Sequence, residues 1–241
     1  MGLAQRQVTE VLVLKRMFKW ASRPARKLLT ENPATDWETP EPVAPLRPSY
    51  SVAEVAALEN GVRPWLRPIV ITLAWTGMRI EELVNLRWED VDQKGRLLKV
   101  RVQEHWIPKG RRDRNVPLHP KVLKAILAQP RTKKESVFSG ARGGKIKESY
   151  ALACLKTDQE RLGISQNDLH GFRRFFATRM MRAGVDPDTV RQWGGWTSLE
   201  TMLRYLAELK ATESTKIMDR AVQQLQLLEE PSENGVGSLV R

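Results

Sequence analysis

Residues 170–205, HGFRRFFATRMMRAGVDPDTVRQWGGWTSLETMLRY, decide the fold, because they divide into three successive helices that hold most of the chemically active side chains. Asp168 or Asn167 can cap the first of these helices. At roughly 100° per residue, His170 and Arg173 lie on one face of it, about 60° apart. Beside them runs a predicted apolar stripe, which consists of Leu169, Phe172, Phe176, Met180 and Ala183.

Two further helices follow within the same stretch. The Asp-Pro pair at 186–187 begins the second helix, and the Gly-Gly pair at 194–195 ends it. Thr197 and Glu200 form a capping-box pattern that opens the third helix. Tyr205 stands at the edge of that helix's apolar stripe, where a ring can pack and still present its hydroxyl to a cleft.

The composition favours a polyanionic partner. The 241 residues include 40 Lys and Arg against 28 Asp and Glu, a net charge of +12, and 41% of them are hydrophobic, which suffices for a core. This charge favours nucleic acid, although anionic membranes and acidic proteins attract the same surface. No apolar run approaches the roughly 20 residues that span a bilayer, and no signal-peptide layout is present. Cys154 is the single cysteine, so we expect a cytoplasmic protein without disulfides or membrane association.

The N-terminal part of the chain differs from the rest. A helix is predicted over residues 8–30, and we assign residues 1–32 to an N-terminal helical segment. Five prolines within residues 33–50 favour extended backbone, so we interpret this span as a semi-rigid linker. Ser51 and Glu54 then form a capping-box pattern that opens the main domain.

The main domain is predicted to be mainly α-helical with a small antiparallel β-sheet, an α+β fold. LLKVRV at residues 97–102 alternates at period two, and the basic turn PKGRRD precedes a second strand, RNVPL, at residues 114–118. Apart from the segments already described, helices are predicted over residues 52–61, 65–77, 119–129 and 148–162.

Several charged residues are candidates for function, although each of these patterns is more often a structural or surface feature. Arg79 and Glu82 stand at i and i+3, and such a pair is more often a surface ion pair worth under about 1 kcal/mol. The basic turn carries Lys109, Arg111, Arg112 and Arg114, and such a turn is more often a solvated or phosphate-contacting surface than the site of a chemically active lysine. We assign direct DNA contact to Arg111, Arg112, Arg114, Arg142, Lys145 and Arg174.

The combination of Arg79, Lys109, His170, Arg173, Trp196 and Tyr205 fits transesterification of a phosphodiester. Two permanently charged guanidinium groups can hold the non-bridging oxygens, and one such arginine is worth on the order of 10³–10⁵ in rate. A tyrosine can form a covalent phosphotyrosine, which conserves the phosphodiester energy, so that rejoining needs no ATP. Because a phenol has a pKa near 10, a base such as His170 helps it to attack. Lys109 can protonate the departing 5′ oxygen.

Four segments resemble, in order, the boxes of the tyrosine recombinases, the phage integrase family: TGMRIEEL, KGRRDRNVPL, HGFRRFFAT and GGWTSLETMLRY. The resemblance covers roughly residues 50–210, and we assign the catalytic domain to residues 51–210. It implies a site-specific recombinase that cleaves and rejoins double-stranded DNA through a 3′-phosphotyrosine, without a metal or other cofactor. It also implies a homo-oligomer, a tetramer on paired sites, in a prokaryotic or phage setting close to the nucleoid.

The resemblance implies a role for each candidate: phosphate clamping by Arg79 and Arg173, proton donation by Lys109, acid/base catalysis or phosphate binding by His170, and nucleophilic attack by Tyr205. Trp196 stands where many members have histidine and Cre-like members have tryptophan. An indole N–H can donate to phosphate but cannot take a proton, so the acid/base work is expected to fall more heavily on His170. Glu82 matches an acid that orients neighbouring cations, and Arg174 replaces a second histidine, a change that we expect to be tolerated.

The ends of the chain lead to further expectations. The helix over residues 8–30 resembles the last helix of the family's core-binding domain, so the chain is expected to be a fragment, a truncated product or a minimal member. A helix is predicted over residues 211–230, which docks either on a neighbouring protomer or on its own domain. The tail at residues 231–241 is predicted to be disordered.

Three alternatives stay open at this point. A type IB topoisomerase or telomere resolvase shares the arginine, lysine and tyrosine chemistry, although the nine positions between Trp196 and Tyr205 favour a recombinase. A DNA-binding relic without activity is the alternative from another class. A metallonuclease is disfavoured, because the sequence has neither a carboxylate cluster nor His/Cys ligand spacing.

Overall fold

A computed structural model describes residues 3–26, 28–38, 49–104, 106–108, 113–131, 135–140 and 143–203, together with Asp219 and Val222. The chain divides into two compact units, Met1–Leu46 and Arg47–Arg241. Within the described ranges no helix is long and apolar enough to cross a membrane. The core of the predicted linker, residues 39–48, lies outside these ranges, as do nearly all of the predicted C-terminal helix and the whole tail.

In the described part of the first unit the chain forms one helix, α1 (Leu3–Ala21). The prediction of a helix to residue 30 was therefore wrong at its C-terminal end. The chain turns directly after Ala21 because Pro24 has no backbone N–H and disfavours helical backbone at the residue before it. The Ser22 hydroxyl donates to the Phe18 carbonyl at 2.9 Å and satisfies one of the last helical acceptors.

The second unit is mainly helical, as predicted. Its helices are α2 (Val52–Gly61), α3 (Arg67–Thr76), α4 (Ile80–Val84), α5 (Pro120–Leu127), α6 (Glu148–Arg161), α7 (His170–Arg182), α8 (Pro187–Gly194) and α9 (Leu199–Leu203). The capping box that opens α2 is confirmed, since Ser51 accepts from the Glu54 backbone and Glu54 accepts from the Ser51 backbone. The predicted start and end of α8 are also confirmed, with Asp186 capping its N-terminus and Gly195 left-handed at its C-terminus.

The predicted small antiparallel sheet is confirmed and has one strand more than expected. Its strands are β1 (Val91–Asp92), β2 (Leu97–Val100) and β3 (Arg114–Pro117), arranged in that order. Leu98 pairs with Val116, and both side chains are buried. Strand β2 ends at Val100, two residues earlier than predicted, and β1 was missed because a two-residue strand shows no alternation.

Helix α3 lies in the core of the second unit and sets the position of the functional site. Its residues Ile69, Val70 and Leu73 are buried, and α7 packs against it. Gly77 ends α3 in the left-handed conformation, with φ of 63°. A Cβ there would lie 2.4 Å from the Phe176 ring of α7, so this close approach requires glycine.

A second apolar cluster joins α8 and α9 to α7. It consists of Phe176, Ala177, Met181, Val190, Trp196 and Met202. Of the apolar stripe predicted for α7, Leu169, Phe172 and Phe176 are buried. Ala183 is exposed because the helix ends there and the chain turns away. The apolar core around α3 and this second cluster thus bring the N-terminus of α7, the end of α3 and the end of α8 together.

Candidate active site

His170 and Arg173 project from the first turn of α7, as the sequence predicts. The predicted cap is present one residue earlier than a standard N-cap: an Asp168 carboxylate oxygen accepts from the Gly171 N–H at 2.9 Å. Burial alone would raise the pKa of Asp168, but the Arg174 guanidinium and this N–H hold it below its usual range. An ionised carboxylate therefore fixes the helix end that presents His170.

Arg173 is buried, with 1% of its surface exposed. Its Nη1 donates to the Gly77 carbonyl oxygen at 2.6 Å and also to the Gly194 carbonyl oxygen. Its guanidinium carbon lies 3.8 Å from the centre of the Trp196 ring, which is cation–π distance. The guanidinium is thus held between the ends of α3 and α8, and the indole covers one face of it.

Arg79 reaches the same turn from α4. It stands in extended conformation directly before the helix, and Glu82 accepts from its backbone N–H at 2.8 Å and from its Nη1 at 3.0 Å. Its Nη2 donates to the Gly195 carbonyl oxygen at 3.1 Å. The Arg79–Glu82 pair is therefore not a surface ion pair, which the sequence pattern alone favours, because the Glu82 side chain is only 1% exposed.

Glu82 binds a second arginine as well. Arg114 donates to both of its carboxylate oxygens, at 3.0 and 2.5 Å. Burial alone would raise the pKa of Glu82, but the hydrogen bonds and charges of Arg114 and then of Arg79 outweigh it and lower the pKa. The carboxylate is thus ionised and organises two cations, as an orienting acid would.

Arg79, His170 and Arg173 face a pocket of about 420 Å³. His170 is exposed at this pocket, but partial burial of its ring keeps water from the charged form and, together with the charge of Arg173, lowers its pKa. A lowered pKa leaves the imidazole neutral at pH 7 and able to accept a proton. The pocket is lined by Met78, Arg79, Ile80, Glu148, Leu152, Asp168, Leu169, His170, Arg173 and Arg174.

The structure thus brings Arg79, Glu82, His170, Arg173 and Trp196 together from three separated stretches. Five other predicted site residues lie outside the described residues, namely Lys109, Arg111, Arg112, Arg142 and Tyr205.

Two residues that we expected to contact DNA are engaged inside the protein. Arg114 is the first residue of β3 rather than part of the exposed turn, and its side chain is 12% exposed. Arg174 is buried and donates to Asn167 and Asp168 at 2.8 and 3.1 Å. Their guanidinium groups bind acceptors inside the protein, and direct DNA contact by either residue remains a prediction.

Lys145 fits the expectation of an exposed cation. Its ammonium lies at the surface and donates to the Asn85 amide oxygen at 3.2 Å. Its assignment to DNA contact remains a prediction.

The role of Arg114 was missed, although the sequence contained a signal for it. Side chains two positions apart in a strand share a face, and Val116 is an obvious core residue. Arg114 therefore belongs to the inward face of β3, where a cation needs a buried acid. The turn carbonyls that accept from the arginines have no side-chain signature, so no pattern could have found them.

Comparison with known proteins gives consistent matches. Residues 55–212 match the model of the phage integrase family. Tyrosine recombinase XerC of Rhodospirillum centenum is 27% identical over 209 residues, which cover 80% of this chain. The chain spans 59% of that relative's length. A putative integrase/recombinase, y4eF of Sinorhizobium fredii, is 31% identical over 74% of this chain and 75% of its own length.

A solved structure gives the same result for the fold. The Tn1549 transposon integrase superposes with a TM-score of 0.66 over 88% of this chain and 78% of the other, at 19% identity. At this level of identity the likeness shows the fold, which is that of a tyrosine recombinase catalytic domain.

Proposed function

The chain belongs to the phage integrase family, and we propose that it is a site-specific DNA recombinase that forms a 3′-phosphotyrosine intermediate without metal or ATP. One observation carries the proposal above all. Arg79, His170 and Arg173, from two segments about ninety positions apart in sequence, line one pocket. Two fixed positive charges beside a neutral imidazole suit a phosphodiester whose transition state gains negative charge.

The proposed reaction exchanges one phosphodiester for another. The Tyr205 oxygen attacks the scissile phosphorus, the bond to the 5′ oxygen breaks, and the phenol proton passes to His170. Lys109 donates a proton to the departing 5′ oxygen, which leaves as a hydroxyl group. Rejoining is the reverse: a 5′ hydroxyl attacks the phosphotyrosine and releases the phenol. The number of phosphodiester bonds is unchanged, so no energy source is required.

The tyrosine inventory supports Tyr205 as nucleophile. The chain has three tyrosines. Tyr50 is buried, its phenol accepts from the Gln159 amide at 2.6 Å, and burial followed by the charge of Asp168 raises its pKa. Tyr150 is exposed on α6 and stacks on Trp65, with the ring centres 5.7 Å apart. Neither side chain lines the pocket that contains the arginines.

Double-stranded DNA is the proposed partner. The net charge of +12 favours a polyanion, and the Tn1549 integrase was solved in complex with a circular intermediate DNA. We propose in addition that the protein assembles on paired sites, because strand exchange joins ends from two duplexes.

Covalent trapping tests the proposal. A pool of nicked duplexes with randomised cores and a labelled strand is incubated with the protein in EDTA. Cleavage beside the nick releases a short oligonucleotide, so the phosphotyrosine cannot be resealed. We expect a labelled adduct that resists denaturing electrophoresis in the wild type and in Tyr150→Phe, and none in Tyr205→Phe. A gel shift without an adduct in the wild type would instead support the DNA-binding relic.

A further inference from the structure

Arg114 makes contacts that the proposed reaction does not use. Its Nη1 and Nη2 donate to the two carboxylate oxygens of Glu82, and its Nε donates to the Trp193 carbonyl oxygen at 2.9 Å. The guanidinium therefore connects β3 with α4 and with the end of α8. Because three of its nitrogen atoms donate to acceptors inside the protein, its position is defined by the fold rather than by a ligand.

The end of α8 is the point at which three arginines meet. The carbonyl oxygens of residues 193–195 accept, in that order, from Arg114, Arg173 and Arg79. The last carbonyl groups of a helix have no partner within the helix, and its C-terminus is the negative end of the helix dipole. This turn is thus a shared support for both arginines to which phosphate binding is assigned.

Arg114 lies directly against this turn. Gly195 is left-handed, with φ of 67°, and a Cβ at that position would lie 2.8 Å from the guanidinium carbon of Arg114. The same carboxylate that Arg114 binds also accepts from the backbone and from the side chain of Arg79. A displaced Arg114 would therefore release Glu82 and the turn together.

We propose that Arg114 is a positioning residue, which fixes Glu82 and the turn at residues 193–195 so that Arg79 is held in the geometry that DNA cleavage requires. The proposal rests on the proposed function, because cleavage is the step that it affects. The planar fork of an arginine matches two carboxylate oxygens, whereas a lysine ammonium cannot bind both of them and the Trp193 carbonyl group at once. Charge alone is therefore insufficient at this position.

The test compares Arg114→Gln and Arg114→Lys with a matched control, Arg63→Gln. Arg63 forms the same kind of fork on another buried carboxylate, Asp158, at 3.0 and 3.2 Å, and does not line the pocket. Two quantities are measured with the nicked duplex pool: the dissociation constant, and the first-order rate of adduct formation at saturating DNA. The thermal midpoint of each variant shows whether it is folded.

We expect both Arg114 variants to form the adduct at least about tenfold more slowly, the scale on which a misplaced catalytic group slows a reaction. Their dissociation constants should change less than about threefold, because the lost interaction acts on the reacting step. Arg63→Gln should retain the wild-type dissociation constant and the wild-type rate of adduct formation, despite a similar loss of stability. Cleavage by Arg114→Gln at the wild-type rate, or an equal slowing by Arg63→Gln, would overturn the proposal.

Hydrogen exchange supplies a readout that does not depend on catalysis. The Gly195 and Trp196 N–H groups donate back into α8, to carbonyl groups of residues 191–192, so they report directly on the turn. The amide hydrogens of a peptide that spans residues 190–198 should exchange faster in Arg114→Gln than in the wild type. In Arg63→Gln their exchange rate should equal that of the wild type. If the wild type forms no adduct, the proposed function fails, and this measurement still decides: unchanged exchange in Arg114→Gln refutes the positioning role.

Discussion

Replacing Glu82 by glutamine removes the negative charge that lies between the Arg79 and Arg114 guanidinium groups. Arg79 and Arg114 keep only 16% and 12% of their side-chain surface exposed, so water cannot compensate for the lost partner. Breaking a buried ion pair from one side costs about 3–5 kcal/mol. We expect a value near the lower limit, about 3 kcal/mol, because both arginines keep carbonyl acceptors at the end of α8. For a domain of this size that corresponds to a fall of about 6–12 °C in the thermal midpoint.

The assay is urea unfolding followed by tryptophan fluorescence, with Glu89→Gln as the matched control. Glu89 is 61% exposed and pairs with Arg87 and Arg101 at the surface, so its replacement should cost less than about 1 kcal/mol. A loss for Glu82→Gln no larger than that of the control would refute the reasoning, because it would mean that the buried carboxylate organises nothing.

The pH dependence gives the same prediction an independent check. Because the pKa of Glu82 is lowered in the folded protein, its stabilising effect is complete above the unfolded pKa of about 4.3. This effect is lost as the pH falls through the folded value. The difference in stability between wild type and Glu82→Gln should therefore be constant between about pH 6 and 7 and shrink below about pH 4. A difference that grows on acidification would contradict this sign.

Three further predictions concern single sites. Gly77→Ala, which combines a left-handed φ with a clash, should lose more than about 2 kcal/mol in urea unfolding, whereas Gly184→Ala, left-handed in open space, should lose about 1. Tyr50→Phe deprives a buried glutamine of its acceptor and should cost about 1–2 kcal/mol, against less than about 0.5 for the exposed Tyr150→Phe; equal losses would contradict this. An NMR titration should find the pKa of His170 below the ordinary 6.5, and a value at or above 6.5 would refute the proposed neutral base.

Local sequence patterns predicted the helices of the second unit well, because their signals lie within a few residues. Ser51 and Glu54 begin a helix through their own backbone and side-chain bonds, and Gly77 ends one through its left-handed conformation. The helix predicted over residues 8–30 is too long, because the apolar pattern continues past Ala21 whereas Pro24 stops the helical backbone before it.

The site was predictable only where a recognisable segment supplied each residue. Arg79, His170 and Arg173 could be found from their segments, but their common support could not. The carbonyl groups of residues 193–195 contribute no side chain, and their contacts with arginines depend on how α8 packs against α7. Arg114 was assigned to DNA because it follows three other basic residues. Its burial depends on a pairing with Glu82 across 32 positions, which no local pattern reveals.

The central claim is that Tyr205 becomes joined to DNA, and mapping the adduct tests it most directly. After the trapping reaction in EDTA, the sample is digested with nuclease and trypsin and the modified peptide is sequenced by mass spectrometry. Trypsin releases Tyr205 at the start of YLAELK, residues 205–210, separately from Tyr50 and Tyr150. We expect a nucleotide joined through its 3′ phosphate to Tyr205 in this peptide, and no nucleotide on Tyr50 or Tyr150. A nucleotide on another residue, or no modified peptide at all, would contradict the account.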